Sequence, residues 1–289
     1  MSKLTDFEFQ IEDFMIYCVS KKLSTKTTKS YEQTLKLFAM YMKEEHSIDN
    51  AEDVKTAHIR HYIKYLQEIG KYTVQTRNEN INFPQNRTDN GKQISPNTIN
   101  NYIRNIKVFY NYLVEERVIR ENPLDRVKFL KKRERIKESL SRTEINVILS
   151  NYNLTSFYGY RDYIITKLLL TTGARIGETL SLLTEDIDFK NKTVLFKDTK
   201  NKKEKIGYLS NMMMQDLRRW VSYKDRYMTT ESLFPTNRCT KLKLHSYEKA
   251  LKRDALRGGI ENVLPHRLRA TFAIRFLKSG GIMCIKSFI

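Results

Sequence analysis

The chain has 289 residues, 40% of them hydrophobic and 29% charged, which is enough apolar side chain for one or two cores. Its 52 Lys and Arg against 33 Asp and Glu leave a formal net charge of +19, so a polyanion is the expected partner and nucleic acid the first candidate. The apolar run Tyr163 to Leu170 is broken by Lys167 and is too short to span a bilayer. The first ten residues carry Lys3, Asp6 and Glu8 in place of a signal peptide's apolar stretch, and Cys18, Cys239 and Cys284 are too scattered for a disulfide framework or zinc cluster. A cytoplasmic protein without a membrane segment is expected.

Ser24 and Thr25 can cap a helix whose apolar face is Tyr31, Leu35, Phe38 and Met42, with Lys29, Lys36 and Lys43 elsewhere around it. Ile59, Tyr62, Ile63 and Leu66 repeat the helical spacing, and Gly70 supplies a stop. From Lys71 to Gln93 the chain is polar and Asn-rich, with Pro84 and Asn90-Gly91 as turn signals, which predicts a long exposed loop. Ser95-Pro96 opens a further helix with the stripe Ile99, Ile103, Ile106, Tyr110 and Leu113, while Arg104 and Lys107 fall on its other face. Pro123 ends this region. The basic stretch Val127 to Glu138 has too few apolar residues for a core element, so a helical domain over 1–126 and a linker over 127–138 are expected.

A second domain, 139–289, opens with the capping box Ser141 to Glu144, after which Ile145, Ile148 and Leu149 start an amphipathic helix. Tyr160 to Thr172 reads as a buried helix stopped at Gly173. Thr193 to Phe196 and Ile206 to Leu209 read as two strands of a hairpin with a lysine-rich tip, followed by helices over Met212 to Tyr223, Ser246 to Arg257 and His266 to about Lys278. The expected fold is therefore mainly α with a small antiparallel β-hairpin or sheet. The charge sits in the later part: up to Leu130 there are 20 basic and 17 acidic residues, and beyond it 32 and 16. An imbalance over a whole domain marks a phosphate-binding surface more often than a merely solvated face.

Three features of this basic half bear chemistry: Thr172-Gly-Ala-Arg175-Ile-Gly-Glu178, the lysines around Lys200, and His266-Arg-Leu-Arg269. Singly, each has a plain reading: a surface arginine with Glu178 as its ion-pair partner, a solubilising turn lysine, a histidine at a helix start. Together and in this order they resemble the tyrosine recombinase (phage integrase) family. TGARIGETLSL is similar to the family's first arginine box, TKNKKEKIGYLS to its lysine hairpin and LPHRLRATFA to its His-x-x-Arg box, while the N-terminal half is similar to its helical core-binding domain.

The resemblance implies a helical core-binding domain and an α+β catalytic domain that clamp duplex DNA and assemble as a homo-oligomer on paired sites. It implies that Arg175, Arg269 and His266 bind the scissile phosphate, that Lys200 is the general acid in preference to Lys202, Lys203 or Lys205, and that a C-terminal tyrosine is the nucleophile. The chemistry is coherent. Two guanidinium forks can hold the charge that gathers on phosphate oxygens, and a hairpin lysine can protonate the leaving 5′ oxygen. Glu178, one helical turn past Arg175, orients the cluster. A phosphotyrosyl link conserves the ester energy, so no cofactor and no metal are expected. Lys29, Arg104, Lys107, Lys202 and Lys203 are the further candidates for contacts to the DNA backbone.

The family's tyrosine is expected beyond the last residue, Ile289, and no tyrosine follows Tyr247. A truncated or frameshifted coding sequence, an inactive DNA-binding remnant and a tyrosine supplied by a partner in trans are the three explanations. Tyr208, Tyr223, Tyr227 and Tyr247 are expected to be packing residues. As they stand, these residues are expected to bind DNA and engage a phosphate without cleaving it. A non-enzymatic DNA-binding regulator and a relaxase-like nicking protein of plasmid transfer are the alternatives.

Overall fold

A computed structural model describes residues 6–69, 92–131, 139–197 and 204–280. The chain divides into two compact units, Met1–Glu134 and Arg135–Ile289. Nearly all of the expected polar loop Lys71–Gln93, the helix stop Gly70, and Lys200, Lys202 and Lys203 of the hairpin tip lie outside the described residues.

Among its described residues the first unit has the α-helices α1 (Asp6–Ser20), α2 (Thr25–His46), α3 (Thr56–Glu68) and α4 (Pro96–Glu115). The first of them is an addition to the elements expected from the sequence. It buries Phe7, Ile11, Phe14 and Cys18, one stripe at helical spacing between the acidic residues Asp6, Glu8, Glu12 and Asp13. Ser24 and Ser95 cap α2 and α4 by accepting from the backbone N–H of Thr27 and Thr98. The core is aromatic: Phe7 packs edge-on to Phe38, and Phe14 edge-on to Phe109. A buried polar pin crosses it, where the Asn105 amide donates to Thr34 Oγ1 (2.9 Å) and to Ser30 Oγ (3.2 Å), fixing α4 on α2.

Residues Val127 to Lys131, read from sequence as the start of a linker, pack on this unit. Val127 and Leu130 lie against its core, and the Asn100 side chain both donates to the Leu130 carbonyl and accepts from the Leu130 N–H.

The second unit carries α5 (Arg142–Ser150), α6 (Phe157–Thr172), α7 (Ile176–Leu180), the strands β1 (Ile187–Asp188), β2 (Thr193–Phe196) and β3 (Lys205–Tyr208), and then α8 (Asn211–Asp225), α9 (Leu244–Arg257) and α10 (Pro265–Lys278). Ser141 and Glu144 form a reciprocal capping box at α5. The sheet is an antiparallel meander in the order β1-β2-β3, with Phe196 opposite Lys205 and Thr193 opposite Tyr208. The third strand thus begins one residue earlier than the sequence suggests. Helix α6 is the centre of the unit, with Ile164, Ile165, Leu168 and Leu169 fully buried, and α8 lies beside it through an ion pair of Lys167 with Asp216. Trp220 of α8 donates its indole N–H to the Leu233 carbonyl (2.8 Å), and Lys224 is buried with its ammonium on Thr184 Oγ1 and the Thr230 carbonyl (3.0 Å each). Among the described residues no helix is long and apolar enough to cross a membrane.

The tyrosines divide. Tyr247 is wholly buried, hydrogen-bonded to Thr166 Oγ1 (2.8 Å), and burial lifts its hydroxyl well above the usual range. Tyr223 is partly buried against the core. Tyr208 and Tyr227, expected to pack, instead stand 80% and 67% exposed: Tyr208 is on the outward face of a strand, and Tyr227 lies just past the end of α8.

Candidate functional site

The end of α6 sets the site. Gly173 closes the helix in the left-handed region (φ 62°), its N–H donating to Leu169 O (2.9 Å), and this reversal sends Arg175 into the cap position of α7. Glu178 then reaches back. One carboxylate oxygen accepts the Arg175 backbone N–H (3.0 Å) and the other accepts from its Nη1 (2.9 Å), so one buried acid fixes both the main chain and the guanidinium of Arg175.

Helix α10 supplies the second arginine. Arg269 is buried and donates from Nη1 to the Gly173 carbonyl (2.5 Å). One turn further on, Phe272 lies over the same glycine so closely that a Cβ there would stand 2.2 Å from its Cδ1. Arg269 therefore holds the Gly173 carbonyl while Phe272 fills the space a side chain there would need, which only glycine leaves open.

A third cation joins from the sheet. Burial levels alternate along β3, with Lys205 and Gly207 turned inward and Ile206 and Tyr208 outward. A Cβ on Gly207 would lie 3.6 Å from Thr172 Cγ2, so this inward face covers the end of α6. The Lys205 ammonium is held below its ordinary value by burial and by Arg175 and Arg269, against the opposing pull of Glu178. Burial and Arg175 likewise lower Arg269, again with Glu178 opposing. The result is one buried carboxylate among three cations, a concentration of positive charge suited to a multiply charged oxyanion.

The structure thus gathers Arg175, Glu178 and Arg269. His266 is exposed, one turn before Arg269 on the same helix. Lys205, passed over in the sequence for Lys200, is the hairpin lysine that the described residues bring to the cluster. Strand alternation from Gly207 is the signal that could have found it. In the first unit Lys29 and Arg104 are exposed and flank the contact between Ser30 and Asn105, while Lys107 is ion-paired with Asp125 (3.1 Å).

The Phage integrase family model matches residues 138–288, and the Phage integrase SAM-like domain matches residues 10–132. The chain is 25% identical over 281 residues to the tyrosine recombinase XerD of Oceanobacillus iheyensis, covering 95% of this chain and 86% of that protein. It is 25% identical over 285 residues to the tyrosine recombinase XerC of Syntrophus aciditrophicus, covering 94% and 85%. Two solved structures share the fold: the Tn1549 transposon integrase in complex with a circular intermediate DNA (TM-score 0.73, 16% identity, 97% of this chain and 89% of that one) and a lambda integrase dimer bound to a COC' core site (TM-score 0.70, 14% identity, 94% and 90%).

Proposed function

The chain belongs to the phage integrase family of tyrosine recombinases, and on that premise we propose that its 289 residues bind duplex DNA and clasp a phosphodiester with Arg175 and Arg269, in the service of site-specific recombination. The observation that carries this reading is the gathering of Arg175, Arg269 and Lys205 about Glu178. Two guanidinium groups held by a buried acid and a helix end are pre-positioned for the charge of a phosphoryl transition state, and they act without a metal. In this reading His266 approaches the phosphate from the first turn of α10, and Lys200 is the general acid for the leaving oxygen where a tyrosine is supplied by a partner. Lys29, Arg104, Lys107, Lys202 and Lys203 contact the DNA backbone. Both the helical domain, with the segment up to Lys131 packed on it, and the catalytic domain 139–289 contact the duplex in this reading. The XerD and XerC names and the DNA-bound integrase dimer support the same partner, and assembly of several copies on paired sites in the cytoplasm belongs to the proposal.

Tyr247, buried and tied to Thr166, is in no position to attack. In this reading neither Tyr208, on the face of β3 opposite Lys205, nor Tyr227, past the end of α8, serves as a nucleophile, so the 289-residue chain should bind duplex DNA in a salt-dependent manner and leave a suicide substrate uncleaved. Fluorescence anisotropy with a labelled duplex, with denaturing gels for covalent capture, tests both halves. Binding weakened by Arg175→Ala and by Arg269→Ala supports the reading. Unchanged binding in both variants, or a covalent adduct with the wild-type chain, overturns it.

A further inference from the structure

At the end of α6 remote from Arg175, the second unit holds a cleft of about 390 Å³ between the first turns of that helix and α9. Its buried end is Asp162, whose side chain is only 4% exposed. Arg161 takes one of the carboxylate oxygens, reaching Oδ1 from Nε (2.9 Å) and from Nη2 (2.8 Å), and is itself held by the Pro235 carbonyl (3.0 Å). The other oxygen, Oδ2, has no hydrogen-bond partner among the described residues. A carboxylate oxygen so deeply placed is costly to ionise without a donor. Burial accordingly lifts the Asp162 carboxyl to about 6, with Asp254 adding to the rise and Arg161 and Arg253 opposing it.

The open end of the cleft is basic. Asp254, buried on α9, accepts from Arg253 Nε (3.0 Å) and Nη2 (3.1 Å) and from Arg257 Nη1 (3.2 Å). One acid thus fixes two largely exposed guanidinium groups, and their remaining N–H groups have no partner among the described residues. Asn153, Ser246 and the half-exposed ring of Tyr158 line the space between the two ends. A free carboxylate oxygen at depth calls for a positive donor, and a pair of oriented guanidinium groups calls for a carboxylate. A phosphate would meet Asp162 as a like charge, and a metal cation would meet three arginines. A small molecule carrying both charges satisfies both ends at once.

We propose that this cleft binds a free α-amino acid, its ammonium on Asp162 Oδ2 and its carboxylate on Arg253 and Arg257. Arg161, Arg253 and Arg257 against Asp162 and Asp254 leave one positive charge in excess, which favours an amino acid with an acidic side chain. The site does not depend on the reading of the chain as a DNA-binding protein.

The test is isothermal titration calorimetry of the 289-residue chain at pH 7.5, where Asp162 is ionised, with L-glutamate, L-lysine, sodium acetate and methylammonium chloride as probes. L-Glutamate should bind at least about tenfold more tightly than the other three, the margin expected of one charge-assisted hydrogen bond. Asp162→Asn and Arg257→Gln should each weaken it at least about tenfold by the same reasoning. Lys252→Gln, exposed on the same helix and outside the cleft, should bind as wild type. Asp162→Asn breaks a buried ion pair and lowers stability, so the exposed Arg257→Gln decides if that variant does not fold. Acetate binding as tightly as L-glutamate makes the cleft a simple anion site and overturns the proposal. So does wild-type affinity in Arg257→Gln, or no binding of L-glutamate up to about 10 mM. L-Lysine binding as tightly as L-glutamate overturns the acidic preference.

Discussion

Arg269 donates its Nη1 hydrogen to the carbonyl oxygen of Gly173, ninety-six residues away in sequence and 2.5 Å away in space. The arginine is thus a structural clasp as well as a candidate ligand for phosphate. Arg269→Ala strands a buried carbonyl and should cost about 1–3 kcal/mol of stability in urea denaturation. His266→Ala, at an exposed position one turn earlier, should change stability by no more than about 0.5 kcal/mol. An Arg269→Ala protein as stable as wild type would mean that the clasp carries no weight.

Gly173→Ala should destabilise for two separable reasons. The left-handed backbone costs a side chain about 1–2 kcal/mol, and the new methyl group drives into Phe272. Trimming the ring with Phe272→Leu should restore part of the loss, so the two substitutions combine non-additively in a thermal melt. Gly177→Ala is the matched control. Its Cβ meets nothing within 4 Å and its site is helical, so it should be neutral or stabilising by up to about 1 kcal/mol.

Glu178→Gln removes the acid that holds Arg175 and opposes the repulsion among Arg175, Arg269 and Lys205. Its melting temperature should lie below wild type at low ionic strength, and the gap should narrow as sodium chloride screens the three cations. A gap independent of salt would assign the loss to the hydrogen bonds alone.

The first unit should show an acid-sensitive helix start. Nδ1 of His58 accepts the Lys55 backbone N–H (3.1 Å) at the head of α3, and His46 and His61 crowd the same ring group, at 4.9 Å from His46 to His58 and 5.7 Å from His46 to His61 between centroids. Burial, then His46, Lys55 and His61, hold His58 below its ordinary value. Because the folded form binds this proton less readily than the unfolded form, the stabilisation is complete above about pH 6.5 and is lost as pH falls through the lowered folded value. The difference in melting temperature between wild type and His58→Gln should therefore be widest near pH 8 and shrink on acidification. A constant difference would remove the titration from the account.

Local signals in the sequence carried much of the architecture. The caps Ser24, Ser95 and Ser141 and the stripes on α2, α3 and α4 are visible in short windows because capping and periodicity are short-range physics. Helix α1 has the same kind of stripe, but its head, Asp6-Phe-Glu-Phe, alternates acid and apolar residues and draws the eye to charge before period. In the site, the order of Arg175, Glu178 and Arg269 is legible as a motif, whereas the hold of Arg269 and Phe272 on Gly173 exists only after α10 has packed on α6. Lys205 is reached by counting back in twos from Gly207 along β3, a step that needs the strand's start, which its pairing with β2 sets and the run of lysines does not show.

The carbonyl that Arg269 holds is the first beyond the C-terminal end of α6, where a helix gathers partial negative charge. That helix end adds a second negative pole beside Glu178, so each guanidinium has its own partner: Arg175 the carboxylate, Arg269 the backbone dipole. On the proposed function, a phosphate at this site meets a guanidinium that already holds a backbone dipole. Because α6 runs through the centre of the second unit's core, the guanidinium of Arg269 is anchored to the most deeply buried helix of that unit.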